Sequence, residues 1–354
     1  MKQRLLYFFP KPSSFIQKDI DILSERYDVV SRSFLPSKKY LLPISFLSQF
    51  IFLLANTGSS SLIICRFAAY HSFLPALFGK IFRKPVLIII GGMESHCFPS
   101  ISYGNYTRKI YGWFTRQSMN MATHISPVDE SLVECEYNYA EEKFMTQGYK
   151  PFCPKARAPY TVIYNGYDAR LFYRKENIER KPDSFLTTAL TIEGPEFFRK
   201  GIDLIFEVAK KSPQCTFTVI GKNDSVKRET IPTNVLLVSK VPYDKLIDYY
   251  NAHEFYFQLS MAEGFPNALC EAMLCECIPI GSSVFGIPKI IDGCGFVLKK
   301  KNPEMLFKLI DSALNCDRKT LAHKSRQHII ENFSLEIRRE KIFRLVESLI
   351  SNPK

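Results

Sequence analysis

Apolar and polar positions along the chain fall into a repeating pattern of short runs and longer periodic stretches. The runs "LLYFF" (5–9), "YDVVSRSF" (27–34), "SLIICRF" (61–67), "PVLIII" (85–90) and "THISPV" (123–128) predict strands. Between them, 70–82 and 105–121 carry helical spacing. The same alternation returns later, with strands expected at 185–192, 216–221, 234–241, 253–260 and 277–283. Helices are expected at 200–211, 243–251, 267–275 and 303–316, and a long amphipathic helix at 334–351. Continuous apolar strands alternating with helices predict parallel sheets covered on both faces.

The pattern breaks in the middle. "YKPFCPKARAPY" (149–160) holds three prolines, "TVIYNGYD" (161–168) reads as a short strand closed by an Asn-Gly turn, and "RKENIERKPDS" (174–184) is a polar gap. The chain therefore divides into a first Rossmann-like domain (1–160), a hinge (161–184), a second Rossmann-like domain (185–333) and a C-terminal helix (334–354) expected to pack back on the first domain. Open parallel sheets bind ligands beyond the carboxyl ends of their strands. Two of them facing each other would enclose a cleft.

Charge sharpens this picture. The net charge is +12, and residues 1–125 hold 15 lysines and arginines against 5 acidic residues. Such an excess suits a phosphorylated ligand or an anionic membrane surface. The cations are scattered (Lys38, Lys39, Arg83, Lys84, Arg108, Lys109) with no zinc-finger or RNP-type signature, which argues against nucleic acid. "LLPISFLSQFIFLLA" (41–55) is the most lipid-like segment, yet fifteen residues fall short of the roughly 20 a spanning helix needs. It reads as a core helix, with a helix dipping into a bilayer surface as the alternative. The N-terminal apolar run of five residues is too short for a signal peptide. The ten cysteines include no Cys-x-x-Cys and no metal-ligand spacing, so buried reduced thiols and a cytoplasmic location are expected.

Neither G-x-x-x-x-G-K-[ST] nor G-x-G-x-x-G occurs. Gly91 and Gly92 follow the fourth strand, where backbone could approach a ligand closely. "MAEGFPNALCEAM" (261–273) carries more information. Glu263 falls at the carboxyl end of a strand, Pro266 and Asn267 suit a helix start, and Glu271 lies one turn inside an almost wholly apolar helix. A glutamate there has little solvated face, and buried glutamates need partners. In "FFRKGIDLIFEVAKKSP" (197–213), Arg199 and Lys200 stand at another helix entry, where cations are disfavoured unless they serve an anion. "VFGIPKIIDGCGFVL" (284–298) would wall the same cleft.

Taken together, "SMAEGFPNALCEAMLCECIPIGSSVFGIPKII" (260–291), "FRKGIDLIFEVAKK" and "TVIYNGYD" resemble glycosyltransferase family 4, retaining enzymes of the two-domain GT-B fold that use nucleotide sugars. The resemblance implies that Glu263 meets the donor sugar's hydroxyls and Glu271 the ribose. It implies that Gly264, Phe265, Pro266, Asn267, Ala268 and Leu269, with Gly91 and Gly92 across the cleft, line the donor. Lys200, with Arg199, would neutralise the departing diphosphate. The implied co-substrate is a UDP- or GDP-sugar, with no metal and no other cofactor. The acceptor would be a saccharide or a lipid-linked one, in cell-surface polysaccharide or lipopolysaccharide assembly, with the enzyme peripheral on the inner face of the cell membrane. Two features depart from the family pattern. "TIEGPEFF" (191–198) lacks a basic residue where relatives carry an arginine, so Arg199 takes that role, and "GGMES" (91–95) lacks the histidine relatives place after the fourth strand, His96 lying later. A glycoside hydrolase also needs paired carboxylates but leaves Arg199 and Lys200 unexplained. A degenerate GT-B partner that binds without turnover is the other alternative.

Overall fold

A computed structural model describes residues 2–34, 39–226 and 228–352; Lys38 lies outside them. The first domain runs β1 (Arg4–Phe9), α1 (Ser14–Arg26), β2 (Asp28–Ser33), α2 (Leu42–Asn56), β3 (Leu62–Arg66), α3 (Tyr70–Phe82), β4 (Val86–Ile90), α4 (Lys109–Met121) and β5 (His124–Pro127). Its five strands form one parallel sheet in the order β2-β1-β3-β4-β5. β3 and β4 are buried along their whole length, because helices cover both faces. A small hairpin, β6 (Cys135–Glu136) with β7 (Thr146–Gln147), and a short helix α5 (Tyr149–Phe152) follow.

The second domain repeats the plan. It comprises β8 (Lys181–Thr191), α6 (Pro195–Arg199), α7 (Ile202–Lys211), β9 (Thr216–Lys222), β10 (Val235–Val238), α8 (Leu246–Ala252), β11 (His253–Gln258), α9 (Asn267–Leu274), β12 (Ile278–Ser282), α10 (Ile287–Ile291), β13 (Phe296–Leu298), α11 (Pro303–Leu314) and α12 (Arg318–Asn332). The sheet is parallel in the order β10-β9-β8-β11-β12-β13. Phe185, Phe217, Phe255 and Phe257 stack with centroids 4.8–6.2 Å apart at its centre. Two parallel-sheet domains facing across a cleft are the GT-B arrangement.

Residues 161–168 do not form the expected strand. They run extended beside β5, where Thr161 and Ile163 donate to the carbonyls of Ile125 and Pro127. The Asn165-Gly166 pair makes no hairpin. Gly166 is there because α13 (Leu335–Ser351) passes so close that a Cβ would lie 2.8 Å from Arg338 Cβ. All ten cysteines are free thiols. Among the described residues no helix is long and apolar enough to cross a membrane.

As expected, the C-terminal helix crosses back to the first domain. Ile342, Phe343, Leu345 and Val346 of α13 join the cluster of Leu5, Ile22, Ile64 and Leu87. At its centre the buried Arg338 donates Nε and Nη2 to the two oxygens of buried Asp19 at 2.8 and 2.9 Å, and Nη1 to the carbonyls of Ile163 and Tyr164. One guanidinium thus ties α1, the linker and α13. Where the domains face each other, glycine meets glycine. A Cβ on Gly264 would fall 1.8 Å from the carbonyl oxygen of Gly91, so only glycine allows this approach.

Removing one partner of a buried ion pair leaves the other charge uncompensated, at a cost of about 3–5 kcal/mol. Because buried Arg66 stays 3.7 Å from Asp19 and partly compensates it, Arg338→Ala is expected to lower the unfolding free energy by less than that, by about 2–3 kcal/mol. A denaturation midpoint equal to wild type would refute the assignment of Arg338 as the clamp.

Candidate functional site

The carboxyl end of β11 leads into residues 259–266 and then α9, and the turn between α6 and α7 lies against it. Gly201 permits this contact: its φ is +72°, and a Cβ there would sit 2.5 Å from the carbonyl oxygen of Leu259. Met261 N–H donates to the carbonyl of Arg199 at 2.7 Å, fastening the two segments together. This brings Lys200 and Glu263 into direct contact, with Lys200 Nζ donating to Glu263 Oε1. Arg199 Nη1 donates to the same oxygen at 3.2 Å, as does Ser260 Oγ. Burial alone would raise the Glu263 pKa, but Lys200 and Arg199 outweigh it and hold the carboxyl at about 2. Glu263 is thus an anion and a hydrogen-bond acceptor, unsuited to donating a proton at neutral pH.

The two cations of the Arg-Lys pair part company. Arg199 donates Nε and Nη2 to the Glu196 carboxylate at 2.6–2.9 Å and Nη1 to the carbonyl of Ala262 at 3.0 Å. Its guanidinium carbon lies 4.7 Å from the Tyr103 ring centroid. It is not among the cleft-lining residues, so in this structure it holds Glu263 from behind and does not face a departing group. Lys200 does line the cleft. One of its three ammonium donors goes to Glu263.

The cleft itself, about 1220 Å³ and open to solvent, lies between the domains. Pro266, Asn267, Ala268 and Glu271 contribute from α9 and its approach. Pro266, not Asn267, is the cap residue. The Asn267 side chain turns to the linker, where its Oδ1 accepts from Tyr167 Oη at 2.8 Å and Asn165 Nδ2 at 3.1 Å. Of the other expected residues, Phe265 packs on Tyr164, Tyr167 and Phe333, and Leu269 is fully buried in the core. Neither side chain lines the cleft: Leu269 lies on the apolar face of α9 that covers the sheet, and Phe265, before the helix, packs on the linker. Glu271 is 5% exposed, with Oε1 accepting from Tyr243 Oη at 2.7 Å and Oε2 from Tyr250 Oη at 3.4 Å. Burial raises its pKa, opposed by those hydroxyls. An ionised carboxylate has about four acceptor sites, so capacity for a vicinal diol remains.

The opposite wall comes from residues that no motif marks out. Ser13, Ser14 and Phe15 at the start of α1 face the cleft, and Ser13 caps the helix without a side-chain hydrogen bond. The signal in the sequence is a Ser-Ser pair after prolines, which is common to any helix start. Two helix N-termini, those of α1 and α9, thus border one cleft that also holds Lys200 and Lys240. That combination favours an anion. Thr188, Ala189, Val241 and Tyr243 supply a mixed wall beyond it.

Gly91 and Gly92 stand on the first-domain side. The Gly91 N–H donates to Glu94 Oε1 at 2.7 Å, so a buried carboxyl, raised to about 7 by burial, braces the loop. Behind Gly92 lies His96, fully buried beside Phe98, Tyr103 and Phe285, with neither ring nitrogen hydrogen-bonded. Burial brings its pKa to about 3, with Glu263 close enough to oppose that shift. The loop from Gly91 is short and turned inward, and this brings His96 to the domain interface despite its late sequence position. Among the described residues no three His, Cys, Asp or Glu side chains are placed to hold a metal ion.

Comparison with known proteins agrees with this geometry. Residues 177–334 match the family model described as glycosyl transferases group 1. Among curated proteins, a component of the Arabidopsis thaliana phosphatidylinositol N-acetylglucosaminyltransferase is 22% identical over 209 residues, 56% of this chain. The aligned region is 44% of that relative, so the chain matches less than half of its length. Sucrose-phosphate synthase from Thermosynechococcus elongatus superposes with a TM-score of 0.74 at 15% identity, covering 99% of this chain and all of that one. Anabaena HepE, solved in complex with UDP, gives 0.71 at 15% identity, covering 98% of this chain and all of that one. The chain thus has the GT-B fold, and its second domain, residues 177–334, matches the model of the glycosyl transferases group 1.

Proposed function

We propose that this chain is a retaining, metal-independent glycosyltransferase of family 4 type that moves a sugar from a UDP- or GDP-sugar to a saccharide or lipid-linked acceptor. The observation that carries this reading is the placement of Lys200, Glu263 and Glu271 along one wall of a cleft bordered by two helix starts. The diphosphate would lie over the α9 start with Lys200 as its counter-ion. The ribose hydroxyls would donate to Glu271, and the base would lie against Val241 and Tyr243. The sugar would sit between Glu263 and the Gly91-Gly92 loop, where His96 has two unused nitrogens.

The chemistry then follows from charge. Breaking the sugar–phosphate bond leaves an oxocarbenium-like sugar and a leaving group gaining negative charge, which a preorganised cation and backbone amides stabilise. Glu263 is already neutralised by two cations and stays ionised, so it orients hydroxyls and supplies no proton. The departing phosphate oxygen takes the acceptor's proton on the same face, and configuration is retained. The UDP named in the HepE structures favours a uridine nucleotide. The phosphatidylinositol named for the plant relative favours a lipid-linked acceptor, hence work at the inner face of a membrane in surface polysaccharide or lipopolysaccharide assembly.

Thermal shift against UDP-, GDP- and ADP-sugars tests the donor, since a ligand stabilises the fold in proportion to occupancy. Glu271→Ala is expected to abolish most of that shift. An unchanged shift would remove Glu271 from the ribose. Lys200→Ala is expected to lower the transfer rate by roughly 10²–10³, read as nucleotide released in the presence of acceptor. Arg199 still pairs Glu263 in that variant, so its fold is expected to survive. His96→Ala is expected to slow transfer while leaving the UDP-induced shift intact, because it supports the Gly91-Gly92 loop from behind and lies away from the proposed nucleotide position. Nucleotide release equal with and without acceptor would favour a hydrolase, and none with any acceptor a binding partner.

A further inference from the structure

Helix α2 is amphipathic the wrong way round for a core element. Its inward side buries Gln49, whose Nε2 donates to the carbonyl of His71 at 2.8 Å, together with Leu53. Its outward side shows Ile44 (62% exposed), Leu47 (60%), Ile51 (58%) and Leu54 (54%). Spacings of three, four and three place these four on one helical stripe. The expectation of a core helix at 41–55 is therefore corrected, and hydrophobicity without direction was the cause.

The stripe does not end at α2. Phe50 meets Phe78 of α3 at 5.3 Å, and Phe78 stacks on Phe82, so the apolar surface continues to exposed Ile81 and Phe82 at the end of α3. On the other flank Phe46 stacks on Phe114 of α4, which carries exposed Ile110 and Trp113. Contiguous apolar patches of this extent are uncommon on a monomer and mark interaction sites. Lys80 and Arg83 stand exposed at the end of α3, and Arg108 and Lys109 at the start of α4. Residues 29–128 contain a single acidic residue, Glu94, and it is buried. With 35 acidic residues in 354, about ten would be expected in that stretch, so the face is acid-free by composition.

We propose that the α2–α3–α4 face docks in the interfacial region of an anionic lipid bilayer, with α2 lying in the membrane plane. Aliphatic side chains and a tryptophan would enter the headgroup–acyl boundary, and the surrounding cations would meet anionic headgroups. A second copy of the chain fits less well, because a two-fold interface sets the same patch against itself and brings these cations together with no carboxylate to answer them. A nucleic acid would meet the cations but desolvate the aliphatic stripe for no return. α2 and α4 both start at the cleft side of the sheet, so the docked surface adjoins the cleft rim. This inference stands independently of the donor reading above.

Co-sedimentation of the full chain with phosphatidylcholine vesicles, with and without phosphatidylglycerol, tests it. Retention is expected on anionic vesicles, to be about tenfold weaker on neutral ones, and to fall with salt. Leu47→Glu with Ile51→Glu is expected to cut retention at least tenfold, as is Lys80→Glu with Arg83→Glu. The charge-matched control Lys319→Glu with Lys324→Glu, on the second domain, is expected to bind as wild type. An unfolding midpoint equal to wild type in each variant verifies the fold, and these four positions lie outside the cleft. The proposal is overturned if wild-type protein ignores anionic vesicles, or if the Leu47/Ile51 variant is retained as well as the control. It is also overturned if that variant merely converts a dimer to a monomer in analytical ultracentrifugation without affecting vesicle retention.

Discussion

A buried carboxylate must be neutralised, and Glu263 is the group around which the second domain's cleft wall is organised. Taking an ion out of water costs several kcal/mol even after relaxation. Glu263 meets that cost through Lys200 and Arg199, which approach from the neighbouring α6–α7 turn. To deliver them, the turn must lie almost in contact with the end of β11, hence the glycine at 201 and the backbone bond from Met261 to Arg199. Arg199 in turn needs Glu196 to satisfy the rest of its guanidinium. The cluster of two cations and two carboxylates is neutral before any ligand arrives. Lys200 alone of the two cations keeps donors toward the cleft, which explains why it and not Arg199 is suited to a phosphate.

The first domain contributes geometry more than charge. Its Gly91-Gly92 loop reaches Gly264 with backbone in contact with backbone, and any side chain at that point would hold the domains apart. The α13 helix secures the same arrangement from the far end, where Arg338 bridges α1 and the linker through Asp19 and two carbonyls. Because α1 also presents its N-terminus to the cleft, this clamp and one cleft wall share one helix. Displacing α13 would loosen the Ser13–Phe15 edge without touching any residue of the second domain's cleft wall.

Most of this is legible in the sequence where a single physical rule dominates. Parallel strands buried on both faces read as unbroken apolar runs, and each of the ten expected strands outside the linker lies within a few residues of an observed one. Glu263, Glu271 and Lys200 stand out because each is a charge in an unsuitable place. What stays hidden depends on direction or on distant partners. α12 turns Ala322, Ser325 and Ile329 inward, small residues among them that leave no apolar periodicity. Arg199 and Lys200 are neighbours with opposite orientations, which no spacing encodes. His96 lies late in the sequence, yet a tight loop carries it to the domain interface beside Phe285. Asp19 and Arg338 are 319 residues apart. In α2, composition conveys the apolar character, and only the fold says which side faces water.

The basic excess, a single number in the composition, divides into three populations with different work. Arg66, Arg199 and Arg338 are buried against carboxylates and contribute nothing to the outer field. Lys200 and Lys240 face the cleft, where a bound diphosphate would roughly cancel them. A third group on the first domain, Lys80, Arg83, Arg108 and Lys109, has no carboxylate nearby in sequence and lies outside the cleft lining. Exposed like charges repel and carry a cost in the compact state. A face that keeps them while also excluding acidic residues and exposing an aliphatic stripe is accounted for by a partner that is anionic and apolar at once. The cleft, with two lysines, therefore does not account for the basic excess, and the asymmetry between the halves lies with the exposed cations of the first domain.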